Sequence, residues 1–247
     1  RPTQCRCGVE AGAPRALFLA GPAHFCFTFS VDRNWLLEKV MMLVPLVLSL
    51  SVHEWAHAWS AYRLGDDTAS RQGRLTLNPI AHIDPIGTLL LPLMGIPFGW
   101  ARPVPVNPMR FRRSTTMRTG MMITAAAGPL SNVIIAILAT VVWGLLFRVK
   151  PDWMLGNSGV SVLLNITIMM NVALALFNML PFPPLDGSRV VDGLMPLKWR
   201  PQWEQVARYG WVGLLLAVVA GRYILAIPLA WADRVLGRLL GVVAGFG

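Results

Sequence analysis

The sequence predicts an all-α polytopic membrane protein. Of its 247 residues, 55% are hydrophobic and only 14% are charged, which is too little charge to cover the surface of a soluble domain. Three apolar runs, at 35–62, 117–147 and 157–180, are long enough to cross a lipid bilayer as helices. Residues 203–247 can supply one more span and a further helix, with a bend near residue 221.

Basic residues are concentrated between the first two apolar runs. The net charge is +10, and residues 63–118 contain eight arginines against three aspartates. Under the positive-inside rule, this asymmetry predicts a cytoplasmic loop and argues against nucleic acid as a partner. We therefore expect an integral protein of the bacterial cytoplasmic membrane.

The same loop contains patterns typical of short β-strands and of a re-entrant segment. Arg74–Asn78 alternates like a strand, and 100–106 has the prolines of an edge strand. Pro103 and Pro105 leave one edge without N–H donors, so the opposite edge could add an extended substrate as a further strand. The apolar run 86–98 is too short for a full crossing, and its prolines and glycines favour a re-entrant hairpin.

The most informative motif is His53-Glu54-Trp55-Ala56-His57, near the end of the first apolar run. On an α-helix, histidines four residues apart lie on one face, so both can bind one zinc ion while the glutamate acts on a water at the metal. A helix that begins at Trp35 rises about 27 Å by His53, which places the motif near the far side of a ~30 Å hydrocarbon layer. That side carries the arginine-rich loop, so the site is expected near the cytoplasmic face.

A catalytic zinc needs a third protein ligand, for which the sequence offers few candidates. Asp186 is favoured because it follows a proline-rich break after the third apolar run, where an uncompensated carboxylate would be costly. His82 and Asp84 are the alternatives, but their position in the loop favours a role in stabilising that loop.

Two motifs together resemble those of the site-2 protease family of intramembrane metalloproteases. They are residues 53–57 and the run Asn178-Met-Leu-Pro-Phe-Pro-Pro-Leu-Asp-Gly187, which correspond to the family signatures HExxH and NxxPxxxLDG. Gly128-Pro-Leu-Ser-Asn132 is similar to the family's GxxxN motif. The resemblance covers 35–191 and leaves no room for a PDZ or CBS domain, as in a minimal member.

The resemblance implies a three-helix catalytic core that uses Zn²⁺. Its implied metal ligands are His53, His57 and Asp186, with Glu54 as the catalytic base. Asn132 either contacts the oxyanion or substrate or bridges helices, and Asn178 either binds substrate backbone or caps its helix.

We therefore expect an intramembrane zinc endopeptidase, embedded in the lipid bilayer, that hydrolyses a peptide bond in or near a transmembrane segment of a membrane-protein substrate, as in regulated intramembrane proteolysis. Residues 35–191 form the expected protease core, 192–247 the C-terminal transmembrane helices, and 1–34 an extension of no assigned role. The alternatives are a membrane zinc protease for soluble or prenylated substrates and a non-catalytic metal-binding membrane protein. The sequence does not specify the substrate or the oligomeric state.

Overall fold

The computed structural model describes residues 35–94, 99–156 and 158–245, and this part of the chain consists of helices joined by turns and irregular segments. The α-helices are α1 (Trp35–Arg63), α2 (Thr68–Arg71), α3 (Leu91–Leu93), α4 (Met117–Val149), α5 (Pro151–Gly156), α6 (Ser158–Asn178), α7 (Asp186–Leu194), α8 (Arg200–Arg208), α9 (Gly210–Ile224) and α10 (Ala226–Ala244). A π-helical turn at Pro85–Leu90 precedes α3, and short 3₁₀ turns occur at Pro79–Ala81, Pro108–Arg110 and Leu197–Trp199. The predicted all-α class is confirmed, whereas the extension 1–34 lies outside the described residues.

Helix α4 is the element on which the others are arranged. It begins where the Thr116 side chain accepts a hydrogen bond from the Thr119 backbone N–H, and its 33 residues rise about 50 Å. Small buried residues in its first half, including Ala125 and Gly128, allow other backbones to approach closely. Helices α1, α6, α7 and α10 all pack against it.

The distribution of polar and apolar side chains is that of a protein in lipid. Polar side chains at most 4% exposed occur on α1, α4 and α6: Ser49, Ser51, His53, Thr124, Asn132, Thr140 and Asn171. Large apolar side chains face outward instead, among them Leu130, Leu138, Leu216 and Val219, each more than half exposed. Exposing such an apolar outer surface to water costs free energy, whereas contact with lipid does not. The chain is therefore an integral membrane protein.

Two helices in the described residues, α4 and the 159–178 part of α6, are long and apolar enough to cross a membrane. Helices α9 and α10 are bent by 59° at the break between them and could together make a third span, in agreement with the bend expected near residue 221. Helix α1 has 29 residues, but His53, Glu54 and His57 reduce the apolar character of its last part. Its crossing of the bilayer stays a prediction.

The predicted short strands are wrong, because the described residues contain no β-strand. Arg74–Asn78 is irregular, and so is 100–107, which we call the strap. A strand needs a neighbour in register, whereas the Arg102 N–H of the strap donates to a loop carbonyl and the Val104 N–H to a side chain. Residues 95–98 lie outside the described residues, so the re-entrant segment stays a prediction.

Candidate metal centre

The helical register of α1 brings the two histidines of the motif together. The Nε2 atoms of His53 and His57 are 3.0 Å apart, and the rings meet edge to face at 89°. His53 is buried at 4% exposure. Both lone-pair positions therefore point at one place beside α1.

Asp186 reaches the same place from the first residue of α7. Its Oδ2 atom is 3.2 Å from Nε2 of His53 and 3.3 Å from Nε2 of His57. A Cβ added at Gly187 would lie 2.3 Å from the Met179 carbonyl oxygen, so glycine is required for α7 to begin against the end of α6. This close approach is what places the Asp186 carboxylate beside α1.

The three atoms have the spacing of ligands around a tetrahedral metal ion. Their separations are 3.0, 3.2 and 3.3 Å. Zinc bonds of about 2.0–2.1 Å at tetrahedral angles place two ligand atoms roughly 3.3 Å apart. A Glu54 oxygen also lies within 4.8 Å of the histidine nitrogens, but this is a looser grouping than the triangle completed by Asp186. Two imidazoles and a carboxylate thus suit zinc, with Glu54 next to the triangle.

The second nitrogen of each histidine is held by α4. Nδ1 of His57 lies 2.7 Å from the Thr124 carbonyl oxygen, which can only accept, so Nδ1 carries the hydrogen and Nε2 the lone pair. Nδ1 of His53 lies 3.0 Å from Oδ1 of Asn132 and donates in the same way. Hydrogen bonds of this kind set the tautomer and the ring orientation of metal-binding histidines.

Comparison with known proteins identifies the family of the chain. The profile of peptidase family M50 matches residues 150–220. The Bacillus subtilis protein named "Putative zinc metalloprotease YwhC" is 41% identical over 187 residues, which cover 74% of this chain and 83% of that protein. The chain belongs to peptidase family M50. The resemblance to the site-2 proteases is thereby confirmed.

More distant M50 relatives share part of the chain. The proteins named "Putative zinc metalloprotease Rip2" of Mycolicibacterium smegmatis and Mycobacterium tuberculosis are 29% and 31% identical. Each alignment covers 62% of this chain and 56% of Rip2. No solved structure matches the chain significantly.

Asn132 and Asn178, the two asparagines singled out from the M50 motifs, have different surroundings. Asn132 is fully buried, and while its Oδ1 faces His53, its Nδ2 has no hydrogen-bond partner among the described residues. Asn178 donates its Nδ2 to the Leu174 carbonyl oxygen of its own helix at 3.0 Å. Of these two asparagines, Asn132 is the one that contacts the histidine pair.

The alternative ligands His82 and Asp84 hold the loop together. Nε2 of His82 lies 2.8 Å from the Thr76 carbonyl oxygen, and the carboxylate of Asp84 accepts from the backbone N–H groups of Ile86 and Gly87. These contacts match the loop-stabilising interpretation of both residues. The structure does not bring them to the His53–His57–Asp186 triangle.

Sequence reasoning missed how the strap contacts Glu54. The Val104 backbone N–H donates to Oε2 of Glu54 at 2.9 Å.

The side chain of Arg74 lies beside the strap. Arg74 is 7% exposed and donates to the Arg102 carbonyl oxygen at 2.6 Å. Burial and the nearby Arg102 lower the pKa of Arg74, whereas the charge of Glu54 acts in the opposite direction. The sequence placed Arg74 in the basic loop and at the start of a predicted strand, and no pattern linked it to the site.

Proposed function

We propose that this M50 protein is an intramembrane zinc endopeptidase that hydrolyses a peptide bond in or near a transmembrane segment of another membrane protein. The observation that carries the proposal is the convergence of His53, His57 and Asp186 within 3.3 Å. It is supported by the apolar outer surface around this centre and by the relative named as a zinc metalloprotease.

We assign the zinc ligands as Nε2 of His53, Nε2 of His57 and Oδ2 of Asp186. This set leaves a fourth position open, as in catalytic rather than structural zinc sites. When bound, zinc supplies the Lewis acidity that activates water and polarises a peptide carbonyl.

Glu54 is assigned as the general base. Its Oε2 is held by the Val104 N–H, which leaves Oε1 to accept a proton from the attacking water. As the carbon–oxygen bond forms and the carbon–nitrogen bond breaks, the same carboxyl returns that proton to the leaving amine. Two peptide ends result, and the enzyme recovers its carboxylate.

Asn132 is suited to stabilise the oxyanion that develops on the substrate carbonyl. Its Oδ1 accepts from His53, which orients Nδ2 as a buried donor with no partner among the described residues. A donor that is already oriented and shielded from water stabilises developing charge strongly. For Asn178, the bond to the Leu174 carbonyl oxygen favours a structural role at the end of α6.

The active site is assigned to the cytoplasmic side of the bacterial membrane. The strap contacts Glu54 directly and is continuous with the arginine-rich loop, which the positive-inside rule places in the cytoplasm. A transmembrane substrate would therefore be cut near the cytoplasmic end of its span.

The experiment that tests the function combines cleavage with zinc content. Full-length protein is co-expressed with candidate single-span membrane proteins, and the purified variants are analysed for zinc. Glu54→Gln should retain zinc and lose at least 100-fold in cleavage rate, because it removes the base but no ligand. His53→Ala and Asp186→Ala should lose both zinc and cleavage.

Asp192→Asn is the matched control, because it removes a second carboxylate from α7 that lies at a surface ion pair with Arg200. It should keep zinc and activity. Wild-type cleavage by Glu54→Gln would exclude Glu54 as the base, and stoichiometric zinc in Asp186→Ala would exclude Asp186 as a ligand.

A further inference from the structure

The strap is fixed to the rest of the protein on both sides of Val104. Before it, the Arg102 N–H donates to the His82 carbonyl oxygen at 2.9 Å. After it, the Asn107 N–H donates to the carboxylate of Asp66 at 2.6 Å, and Asp66 is 1% exposed. The Val104 N–H is therefore held in a defined position over α1.

The sequence around Val104 makes its N–H a single, isolated donor. Pro103 and Pro105 have no backbone N–H, so Val104 supplies the only backbone donor between Arg102 and Val106. That donor goes to Oε2 of Glu54 rather than to a neighbouring strand. A substrate strand added along this edge would have to displace Glu54, contrary to the expectation that the edge is free.

Arg74 holds the residues immediately before Val104. Its guanidinium donates to the carbonyl oxygens of Arg102 at 2.6 Å and Pro103 at 3.4 Å. Among the described residues it forms no ion pair, although burying a cation is costly unless the cation makes compensating contacts. A buried arginine bound to two successive carbonyls is a means of fixing a backbone segment.

We propose that the strap positions the catalytic base, with the Val104 N–H as the group that orients Glu54 and Arg74 as the residue that holds the strap. A charge-assisted hydrogen bond to Oε2 prevents the carboxylate from rotating and keeps Oε1 available for the proton. This inference rests on the proposed function, because it takes Glu54 to be the base. The strap contact itself can nevertheless be tested without any cleavage.

Hydrogen exchange of the full-length protein in detergent tests the contact. A fragment covering 100–106 reports only three amides, those of Arg102, Val104 and Val106, because of the two prolines and the rapid loss at the fragment's first two positions. Glu54→Ala should accelerate exchange of the Val104 amide at least tenfold and leave the Arg102 amide protected. Glu54→Gln, which keeps an acceptor oxygen, should retain the protection.

Kinetics on a single-span substrate already shown to be cleaved by the wild type test the positioning role. Val104→Pro removes the N–H and should lower kcat at least tenfold, with KM and zinc content unchanged. Val104→Ala keeps the N–H and should retain a clearly higher kcat than Val104→Pro. Arg74→Gln should likewise lower kcat, and Arg74→Lys should retain part of the wild-type kcat. Arg71→Gln is the control, because it removes an exposed charge from the same loop, and it should leave kcat unchanged.

Equal exchange of the Val104 amide in wild type and Glu54→Ala would overturn the inference. So would a Val104→Pro variant that changes KM alone, since that result would mean that the strap binds substrate instead of orienting the base. If the wild type cleaves nothing, the proposed function fails, and the exchange result still decides the contact between Val104 and Glu54.

Discussion

Gly128→Ala is expected to weaken zinc binding strongly although Gly128 supplies no ligand. A Cβ at this position would lie 2.5 Å from Nε2 of His57 and 2.7 Å from Cε1 of His53. Ordinary van der Waals contact begins near 3.4 Å, so the imidazoles or α4 must move by about 0.9 Å. Metal–ligand distances tolerate only about ±0.2 Å, which is less than a quarter of that displacement.

The expected loss of zinc affinity is at least about 100-fold. Changes in the groups that merely orient metal ligands already cost about 10–100-fold, and here the ligands themselves are displaced. A 100-fold loss corresponds to about 2.7 kcal/mol. Overpacking alone should destabilise the fold by about 1–3 kcal/mol, so zinc loss and unfolding must be separated experimentally.

Gly144→Ala separates them, because it creates a similar clash on the same helix. Its Cβ would lie 2.7 Å from Cβ of Val243, about 24 Å along α4 from Gly128. Both variants should melt at lower temperature in detergent, but only Gly128→Ala should lose zinc to a competing chelator. Zinc affinity within threefold of the wild type in Gly128→Ala would refute the close approach of α4 to the histidines.

Three further predictions concern the groups around this centre. Asn132→Ala removes the acceptor for Nδ1 of His53 and should weaken zinc binding about 10–100-fold. The control is Asn171→Ala, which removes a buried asparagine bonded to Ser49 and should destabilise the protein but keep zinc. Equal zinc affinity in the two variants would contradict the role of Asn132. Gly187→Ala places a Cβ 2.3 Å from the Met179 carbonyl oxygen and should displace Asp186. The resulting loss of zinc would be detected by titration with a chelator. Gly241→Ala is the control, because a Cβ there meets nothing within 4 Å. Arg112→Cys should react with an impermeant thiol reagent only after cells are permeabilised, and labelling of intact cells would reverse the topology.

Those parts of the structure that follow from local periodicity could be predicted from the sequence. The i, i+4 spacing of His53 and His57 on a helix is sufficient to bring their Nε2 atoms within 3.0 Å. The bend expected near residue 221 is close to the observed break between α9 and α10, although α9 continues past Gly221 to Ile224. Asp186 needed more than local spacing, because its approach depends on how the proline-rich turn after α6 redirects the chain.

The groups that orient the site could not be predicted, because they depend on contacts between distant segments. The acceptor for His57 is the carbonyl oxygen of Thr124, and every residue has such a group, so no sequence pattern marks it. The strap was predicted to be an edge strand because of its two prolines, but pairing requires a neighbour that the described residues do not supply. Its one isolated N–H binds Glu54 instead.

The four-residue spacing of Gly128 and Asn132 explains how a helix without ligands can define a metal centre. On α4 the two residues lie on one face, so the face that admits the imidazoles is also the face that binds His53. Either residue alone would be insufficient. A glycine without the asparagine would leave the ring free to rotate, and an asparagine without the glycine could not approach it. Because α1 and α7 both pack on α4, this shared surface holds the two helices, and with them their ligands, in place relative to one another.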